Sequence, residues 1–457
     1  VSGGPLLVVG LGMAGRSVVA AARSRGVAVT VAEDRPTPAH EAFAEAHGAR
    51  FLGRPGAAAL RRAVLDVAAV VPSPGVPDRH PCFVTAAEQG VRVRSELDLA
   101  ADWDARPVVA ITGTNGKTTT TTLVALMLEA AGIPNIAAGN TDLPLVEAID
   151  DPTPAWFVVE ASSFRLGHSD TFAPRVAAWG NFAPDHLDVH RSLAAYEAAK
   201  ASIWARRGPG DVAVADVEDE VVARHTPAGA RRIGLGGSAD LTHTVRDGWL
   251  VVEGERFLAV ADLPRRRPHD LRNALMATAS ALAAGAAPDA IRSVLVGFDG
   301  LPHRVQPVGE VAGVRFFDDS KATSPHAVIA AVDGFDRPVL VAGGRNKGID
   351  LGELAVLAQD LSGVVAIGES ASEIAEVFSG RCPVRVATSM ADAVAAGLEL
   401  ARAAGSRTVL LSPACASYDW YRNYGERGDD FAREVARLAA VEGAGLSAPE
   451  GDRGGRS

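Results

Sequence analysis

The feature that most constrains this chain is a rhythm sustained through three long stretches. Short β-branched runs alternate with Ala-rich runs whose apolar residues recur at helical spacing. Sequential parallel strands need a right-handed crossover between them, so this rhythm calls for parallel sheets covered by helices. In the first stretch, residues 6–10, 27–32, 68–72 and 91–94 read as strands, and 14–25 and 38–47 as helices. A second series has strands at 108–112, 156–160 and 176–181, and helices at 269–284 and 288–296. Between them, residues 231–263 alternate around Arg246-Asp247-Gly248, as in a β-hairpin insert. A third series has strands at 314–317, 339–342, 364–367, 384–387 and 408–412. The segment 100–104 reads as a linker, and a second break falls at 300–302. The expectation is an α/β protein of three domains, 1–100, 101–301 and 302–442, with a polar, Gly-rich, disordered tail at 443–457.

Composition narrows the partners. The chain has 457 residues, 47% apolar and 22% charged, which is enough core material for several domains. No apolar run reaches membrane-spanning length, so no membrane partner is expected. The opening VSGGPLLVVGLGMAG lacks a basic leader and does not read as a signal peptide. A net charge of −10 with no basic stripe argues against nucleic acid. Cys82, Cys382 and Cys415 are too few and too scattered for a disulfide framework or a zinc site, which fits a reducing cytoplasm.

The sharpest chemical signal is Val108-Val-Ala-Ile-Thr112-Gly113-Thr114-Asn115-Gly116-Lys117-Thr118-Thr119. An apolar strand feeds a Gly-rich turn that opens a helix, where backbone N–H groups can cradle phosphate oxygens. Lys117 can neutralise the β and γ phosphates, and the Thr118 hydroxyl can reach Mg2+. The full pattern places a glycine five positions before Gly116; this chain has Ile111 there, with Gly113 inside the turn instead. Thr118 to Thr122 are five β-branched residues in a row, a poor intrinsic choice for a helix start.

Ligands in open α/β sheets bind at the carboxyl ends of strands. Glu160 and Asn181 stand at two such ends, and Asp185-His186-Leu-Asp188 follows the second. A carboxylate there suits Mg2+, or serves equally well as a helix-capping acid. Lys200 falls in a helical stripe with Leu193, Tyr196, Ile203 and Trp204, on a helix over 192–207 capped by Ser192. It either snorkels outward or sits neutral and open to chemical modification. In the first domain, Gly10, Gly12 and Gly15 lie between a strand and a helix, and Glu33-Asp34-Arg35 follow the next strand. That spacing fits NAD as well as other nucleotides. A dehydrogenase would leave the second phosphate loop unexplained. A phosphate-loop regulator without turnover would leave Glu160, His186 and Lys200 without a shared purpose.

With these residues in place, the chain resembles the Mur ligase family of peptidoglycan synthesis, in collinear order over nearly its whole length. The motifs are Gly10-Leu-Gly-Met-Ala-Gly15, Ser73-Pro-Gly75, Gly113 to Thr119, Glu160-Ala-Ser-Ser-Phe164, Asp185-His186-Leu-Asp188, Ala199-Lys200, Gly300-Leu-Pro-His303-Arg304, Asp318-Asp-Ser-Lys321-Ala-Thr323 and Ser412-Pro-Ala-Cys-Ala-Ser417. The resemblance implies an N-terminal Rossmann-like UDP-binding domain, a central ATPase-type domain with a parallel sheet and small β insert, and a C-terminal Rossmann-like amino-acid-binding domain. It implies ATP-dependent addition of D-glutamate to UDP-N-acetylmuramoyl-L-alanine through an acyl phosphate, by a cytoplasmic monomer. Another amide ligase of the same superfamily is the nearest rival.

The resemblance also assigns residues. Gly113, Thr114, Asn115, Gly116, Lys117, Thr118 and Thr119 would hold the ATP phosphates, with His269, Asn273, Arg304 and Asp319 on the nucleotide side. Of two Mg2+ ions, the first would take Thr118 and Glu160, the second His186 and a carbamylated Lys200. Met13, Ala14, Glu33, Arg35, Ser73 and Gly75 would line the UDP site, and Asn140 and His186 would face the muramoyl group. Lys321, Thr323, Lys347, Ser417 and Tyr424 would surround D-glutamate, and Lys117, His186, Lys200 and Arg304 would be catalytic. Three departures stand out: Thr141-Asp142 where the family usually has Ile-Gly, Arg165 for Gln, and Asp270 for Asn.

Overall fold

The structure, a computed structural model, describes residues 4–445 except Asp188, residues 237–239 and Lys347. Its described strands form three sheets. The chain divides into two compact units, Val1–Asp299 and Gly300–Ser457, and the first unit holds two of the sheets.

The N-terminal sheet is parallel throughout, in the order Arg50–Gly53, Val29–Glu33, Leu6–Val9, Ala69–Pro72, Arg92–Val93. The direction of strand order reverses at Leu6–Val9, so the crevice at its carboxyl end is a ready binding position. Two close contacts shape that crevice. The Ser73 hydroxyl donates to the Gly10 carbonyl at 2.7 Å, and a Cβ at Gly15 would lie 2.1 Å from the same oxygen. Gly15→Ala must therefore push the helix Met13–Ser24 off its strand; a loss of about 1–3 kcal/mol is expected in urea denaturation.

The segment 100–104, expected to be a linker, is instead the end of the helix Glu96–Trp103 and its C-cap. A capping box starts that helix: the Ser95 side chain accepts from Leu97 N–H, and Asp98 accepts from Ser95 N–H. Arg94 then pairs with Asp102 at 2.6 Å, which holds the last turn in place. Ala100 is buried and Trp103 packs against the core, while Ala101 and Asp102 face outward, so the segment is a packed helix end rather than a tether. Three further elements of this domain carried no clear alternation in the sequence: the strand Arg50–Gly53 and the helices Ala57–Leu65 and Pro81–Gln89.

The central sheet has nine described strands in the order Glu255–Ala259, Trp249–Val252, His243–Arg246, Arg231–Ile233, Val212–Asp216, Val176–Trp179, Val108–Thr112, Trp156–Glu160, Asn135–Gly139. The hairpin forms as expected, His243–Arg246 against Trp249–Val252, and Asp247 and Gly248 both have positive φ. It is an extension of the sheet edge rather than a separate insert, because Ile233 pairs with His243. The strand Val108–Thr112 lies between the strands ending at Glu160 and Trp179. The phosphate loop thus emerges flanked by the residues that follow both neighbours.

In the second unit the order is Gln306–Val311, Val314–Asp318, Thr408–Leu411, Val339–Gly343, Gly363–Ile367, Val384–Val386. The first pair is antiparallel and the rest are parallel. The strand Gln306–Val311 has Pro307 and Gly309 and a register shift between them, which hid it in the sequence. The final helix, Tyr424–Gly445, continues past the expected start of a disordered tail at 443, and residues 446–457 lie outside the described residues. Among the described residues no helix is long and apolar enough to cross a membrane.

Candidate active site

The phosphate loop is held in shape from outside. Asn181 accepts from Asn115 N–H at 2.8 Å, returns its side-chain N–H to Asn115 O at 3.1 Å, and its carbonyl accepts from Thr114 N–H at 3.0 Å. Asn181 lies two residues beyond the strand Val176–Trp179. The expectation of an ion ligand there gives way to a loop brace, because both ends of its amide are committed to Asn115. The Thr114 hydroxyl accepts from Ala183 N–H at 2.9 Å and lies 3.1 Å from the Tyr196 hydroxyl, fixing the other side of the turn. Gly116 has φ +79°, and a Cβ there would meet Asn273 Oδ1 at 2.3 Å, so only glycine fits. Lys117 opens the helix Lys117–Ala130.

Two amines converge on one carbonyl. Lys117 Nζ donates to Gly113 O and Thr114 O, both at 2.9 Å, and Lys200 Nζ donates to the same Gly113 O at 2.7 Å. Lys200 is 1% exposed, so it does not snorkel. Burial and then the Lys117 charge hold its pKa well below the ordinary lysine value, against the pull of Asp185 and Glu160. The helix that carries it, Leu193–Ala201, is capped by Ser192 as expected and ends in a single 3-10 turn, Ser202–Trp204. Tyr196, Ile203 and Trp204 are buried with Lys200, but Leu193 is exposed at the helix start, outside the stripe.

On the other flank, Thr118 Oγ1 donates to Glu160 Oε2 at 2.6 Å, and Asn140 Nδ2 donates to Glu160 Oε1 at 3.0 Å. Glu160 is 3% exposed, and both of these donors are neutral. A buried carboxylate beside a hydroxyl at a phosphate loop supplies hard oxygens that suit Mg2+. Among the described residues no three His, Cys, Asp or Glu side chains converge as a metal cage.

His186 adopts a left-handed backbone, φ +56°, uncommon for a residue with a side chain. Its ring stands 4.8 Å from Phe164, and its Nε2 lies 3.4 Å from Asp185 Oδ2. Asp188 of the same motif lies outside the described residues. Asn273 and Arg272 line the pocket behind the loop together with Asp216. Arg272, which sequence reasoning missed, binds Asp216 at 2.6 Å and Glu218 at 2.7 Å. The departure at Asp270 has a local cause: it sits in the first helical turn and pairs with Arg265 at 2.9 Å. At the Thr141-Asp142 departure, the Thr141 hydroxyl closes a turn with Leu143 and Asp142 is exposed.

In the N-terminal crevice, Glu33 is turned inward. One oxygen accepts from Leu11 N–H at 2.8 Å and the other from Arg35 N–H at 3.0 Å. Met13, Arg35 and Gly75 are exposed around it, and Ala14 and Ser73 are buried.

In the second unit, Asp318 and Asp319 end one strand and begin the next turn. His303 pairs with Asp318 at 2.6 Å. Asp319 accepts from the Ser412 hydroxyl at 2.8 Å, and burial pushes its carboxyl up to about 7, against Ser412 and the Arg304 charge. The folded state therefore holds this proton more tightly than the unfolded chain. That contribution to stability is full below about pH 4 and is lost as pH rises through about 7. Asp319→Asn should flatten the pH dependence of urea denaturation across that window. Lys321 Nζ donates to Tyr424 Oη at 2.7 Å and lies 4.1 Å from its ring centre. Ser417 is buried and Thr323 exposed; Lys347 lies outside the described residues. Arg427, also missed, is 1% exposed and donates to Ser320 O, Ser320 Oγ and Cys415 O, tying together the two loops that carry Lys321 and Ser417.

Fold and site together define the class: a three-sheet α/β protein whose middle sheet presents a nucleotide-phosphate loop, with a buried carboxylate and hydroxyl beside it. Domain-family models match in chain order: the MurD-like N-terminal domain of Mur ligases at residues 5–95, the Mur ligase middle domain at 111–281, and the Mur ligase glutamate ligase domain at 303–415. The chain belongs to the Mur ligase family. It is 41% identical to UDP-N-acetylmuramoylalanine--D-glutamate ligase of Frankia casuarinae, covering 95% of this chain and 94% of that one. It is 36% identical to the enzyme of the same name from Syntrophotalea carbinolica, covering 96% and 98%. Among solved structures, MurF from Acinetobacter baumannii matches with a TM-score of 0.60 at 19% identity, covering 95% of this chain and 90% of that one, a likeness of fold.

Proposed function

We infer that this chain joins D-glutamate to UDP-N-acetylmuramoyl-L-alanine at the expense of ATP, in peptidoglycan synthesis. The observation that carries the ligase chemistry is the 2.6 Å contact between Thr118 and Glu160 beside a loop braced to receive phosphate. The choice of D-glutamate rests on relatives of that name that align over nearly the full chain.

The reaction has two steps. A carboxylate oxygen of the L-alanyl group attacks the γ-phosphorus, and the bond from that phosphorus to the bridging oxygen breaks, leaving ADP and an acyl phosphate. The amine of D-glutamate then attacks the acyl carbon, loses a proton, and phosphate departs. Like-charged reactants must be brought together, so positioning and charge screening dominate. Lys117 and Arg304 would offset phosphate charge, while Gly113 to Thr119 would cradle it. Mg2+ at Thr118 and Glu160 would supply further screening of the triphosphate. Asn273 and His269 would face the nucleoside.

A second ion would take His186 and a carbamylated Lys200. The support is geometric: Lys117 and Lys200 share the Gly113 carbonyl, and a neutral amine avoids that repulsion. A neutral amine is also the form that adds carbon dioxide, losing a proton as the C–N bond forms. Met13, Ala14, Glu33, Arg35, Ser73 and Gly75 would hold the uridine diphosphate, with Asn140 and His186 toward the muramoyl group. Lys321, Thr323, Lys347, Ser417 and Tyr424 would take D-glutamate. We read the working unit as a monomer and place it in the cytoplasm with its nucleotide substrates. The test is ADP release with UDP-N-acetylmuramoyl-L-alanine and a panel of amino acids. Release that depends on D-glutamate is expected; equal release with L-glutamate or glycine would overturn the assignment.

A further inference from the structure

We propose that Arg165, paired with Glu96, is a positioning residue that sets the Glu160 carboxylate through the side chain of Asn140. The proposal rests on the reading of Glu160 as an ion ligand. The contacts form one unbroken chain. Glu96 accepts from Arg165 Nε at 2.8 Å, and Arg165 Nη1 donates to Asn140 Oδ1 at 2.7 Å. Asn140 Nδ2 donates to Glu160 Oε1 at 3.0 Å, and Glu160 Oε2 accepts from Thr118 at 2.6 Å. Glu96 is itself anchored: its second oxygen accepts from Val146 N–H at 3.0 Å. Glu96, Arg165 and Glu160 are each no more than 5% exposed.

The chemistry of the donors makes this chain one-directional. Arginine can only donate, and an ionised carboxylate can only accept. Between them, the Asn140 amide has a single workable orientation, with its oxygen on Arg165 and its NH2 on Glu160. A glutamine at position 165, the usual family residue, presents either an oxygen or an NH2, so only one of its two orientations would hold the Asn140 oxygen, and it would do so without a charge. The charges also resolve. Arg165 is matched by Glu96, so the net negative charge of the cluster is left on Glu160. Outer partners that orient a ligand carboxylate typically change metal affinity by about 10–100-fold when removed.

The experiment is a titration of Mn2+ into the full chain with ADP present, read by electron paramagnetic resonance. It compares wild type, Arg165→Gln, Arg165→Met and the double variant Glu96→Gln/Arg165→Gln. The double variant removes both charges together and so leaves neither buried and unmatched. The Mn2+ dissociation constant is expected to rise about tenfold or more in all three, with ADP binding in the absence of metal unchanged. An unchanged constant in any folded variant overturns the proposal, even where its melting temperature falls, because a merely structural role would lower stability alone. A raised KM for the UDP substrate with unchanged Mn2+ binding also overturns it, since Arg165 would then act only on the substrate face of Asn140. If wild type itself binds no Mn2+ with ADP, the reading of the ion site fails first and this proposal with it.

Discussion

Replacing Lys117 with alanine is expected to lower substrate-dependent ADP release by about 10³-fold, measured in a coupled assay at saturating ATP. The amine begins the helix at the loop and reaches the Gly113 and Thr114 carbonyls, so it already stands among the backbone groups that would face phosphate. Those two carbonyls accept hydrogen bonds from its ammonium. With triphosphate bound, phosphate oxygens would replace them, and the ammonium would meet charge that shifts during transfer. Loss of that cation removes stabilisation that grows toward the transition state, so kcat should fall more than the affinity for ATP. Retained turnover in a folded variant would reject the phosphate-loop assignment. The neighbouring amine should respond as well. Lys117 is the second cause of the depressed Lys200 pKa, so its removal should raise that value toward the ordinary one.

The second large effect concerns Lys200. Lys200→Ala is expected to reduce activity by about 10²-fold or more, and short carboxylates such as acetate or formate should restore part of it. The cavity left by a fully buried side chain gives such an anion a place to stand where the carbamate would be. Lys200→Arg should be equally impaired and should not be rescued, because a permanently charged guanidinium fills the space and cannot add carbon dioxide. Activity unchanged in Lys200→Ala without added carboxylate would sink the carbamate. Loss of activity that no carboxylate relieves would point to a purely structural amine, holding the Gly113 carbonyl from below.

Much of the site could be read from the residues in order. The run Val108–Thr112 followed by Gly113, Gly116 and Lys117 encodes strand, turn and helix within one short segment, and the contacts that shape it are mostly local. The hairpin at Asp247-Gly248 was legible for the same reason: both turn residues tolerate positive φ, and the flanking alternation sets register. Local reading failed where distant partners decide. The segment 100–104 has the polarity of a linker, yet it closes a helix whose Asp98 accepts from the N–H groups of Asp170, Thr171 and Phe172, far along the chain. Asn181 looked like a strand-end ligand, and only the fold shows its amide spent on Asn115. Arg272 and Arg427 gave no signal in the sequence, because their partners lie on other strands and loops.

The alternation of β-branched and Ala-rich runs determined by itself that this chain builds parallel sheets covered by helices, and the glycines and lysine after Thr112 determined that one strand ends in a Gly-rich turn that opens a helix. Period and turn chemistry are properties of neighbours along the chain, so they survive without a fold. Only the tertiary structure decided that Lys200 shares a carbonyl with Lys117, and that Arg165 aims Asn140 at Glu160. Those contacts join residues far apart in sequence, and the burial that makes their charges matter exists only once the sheets and helices have packed.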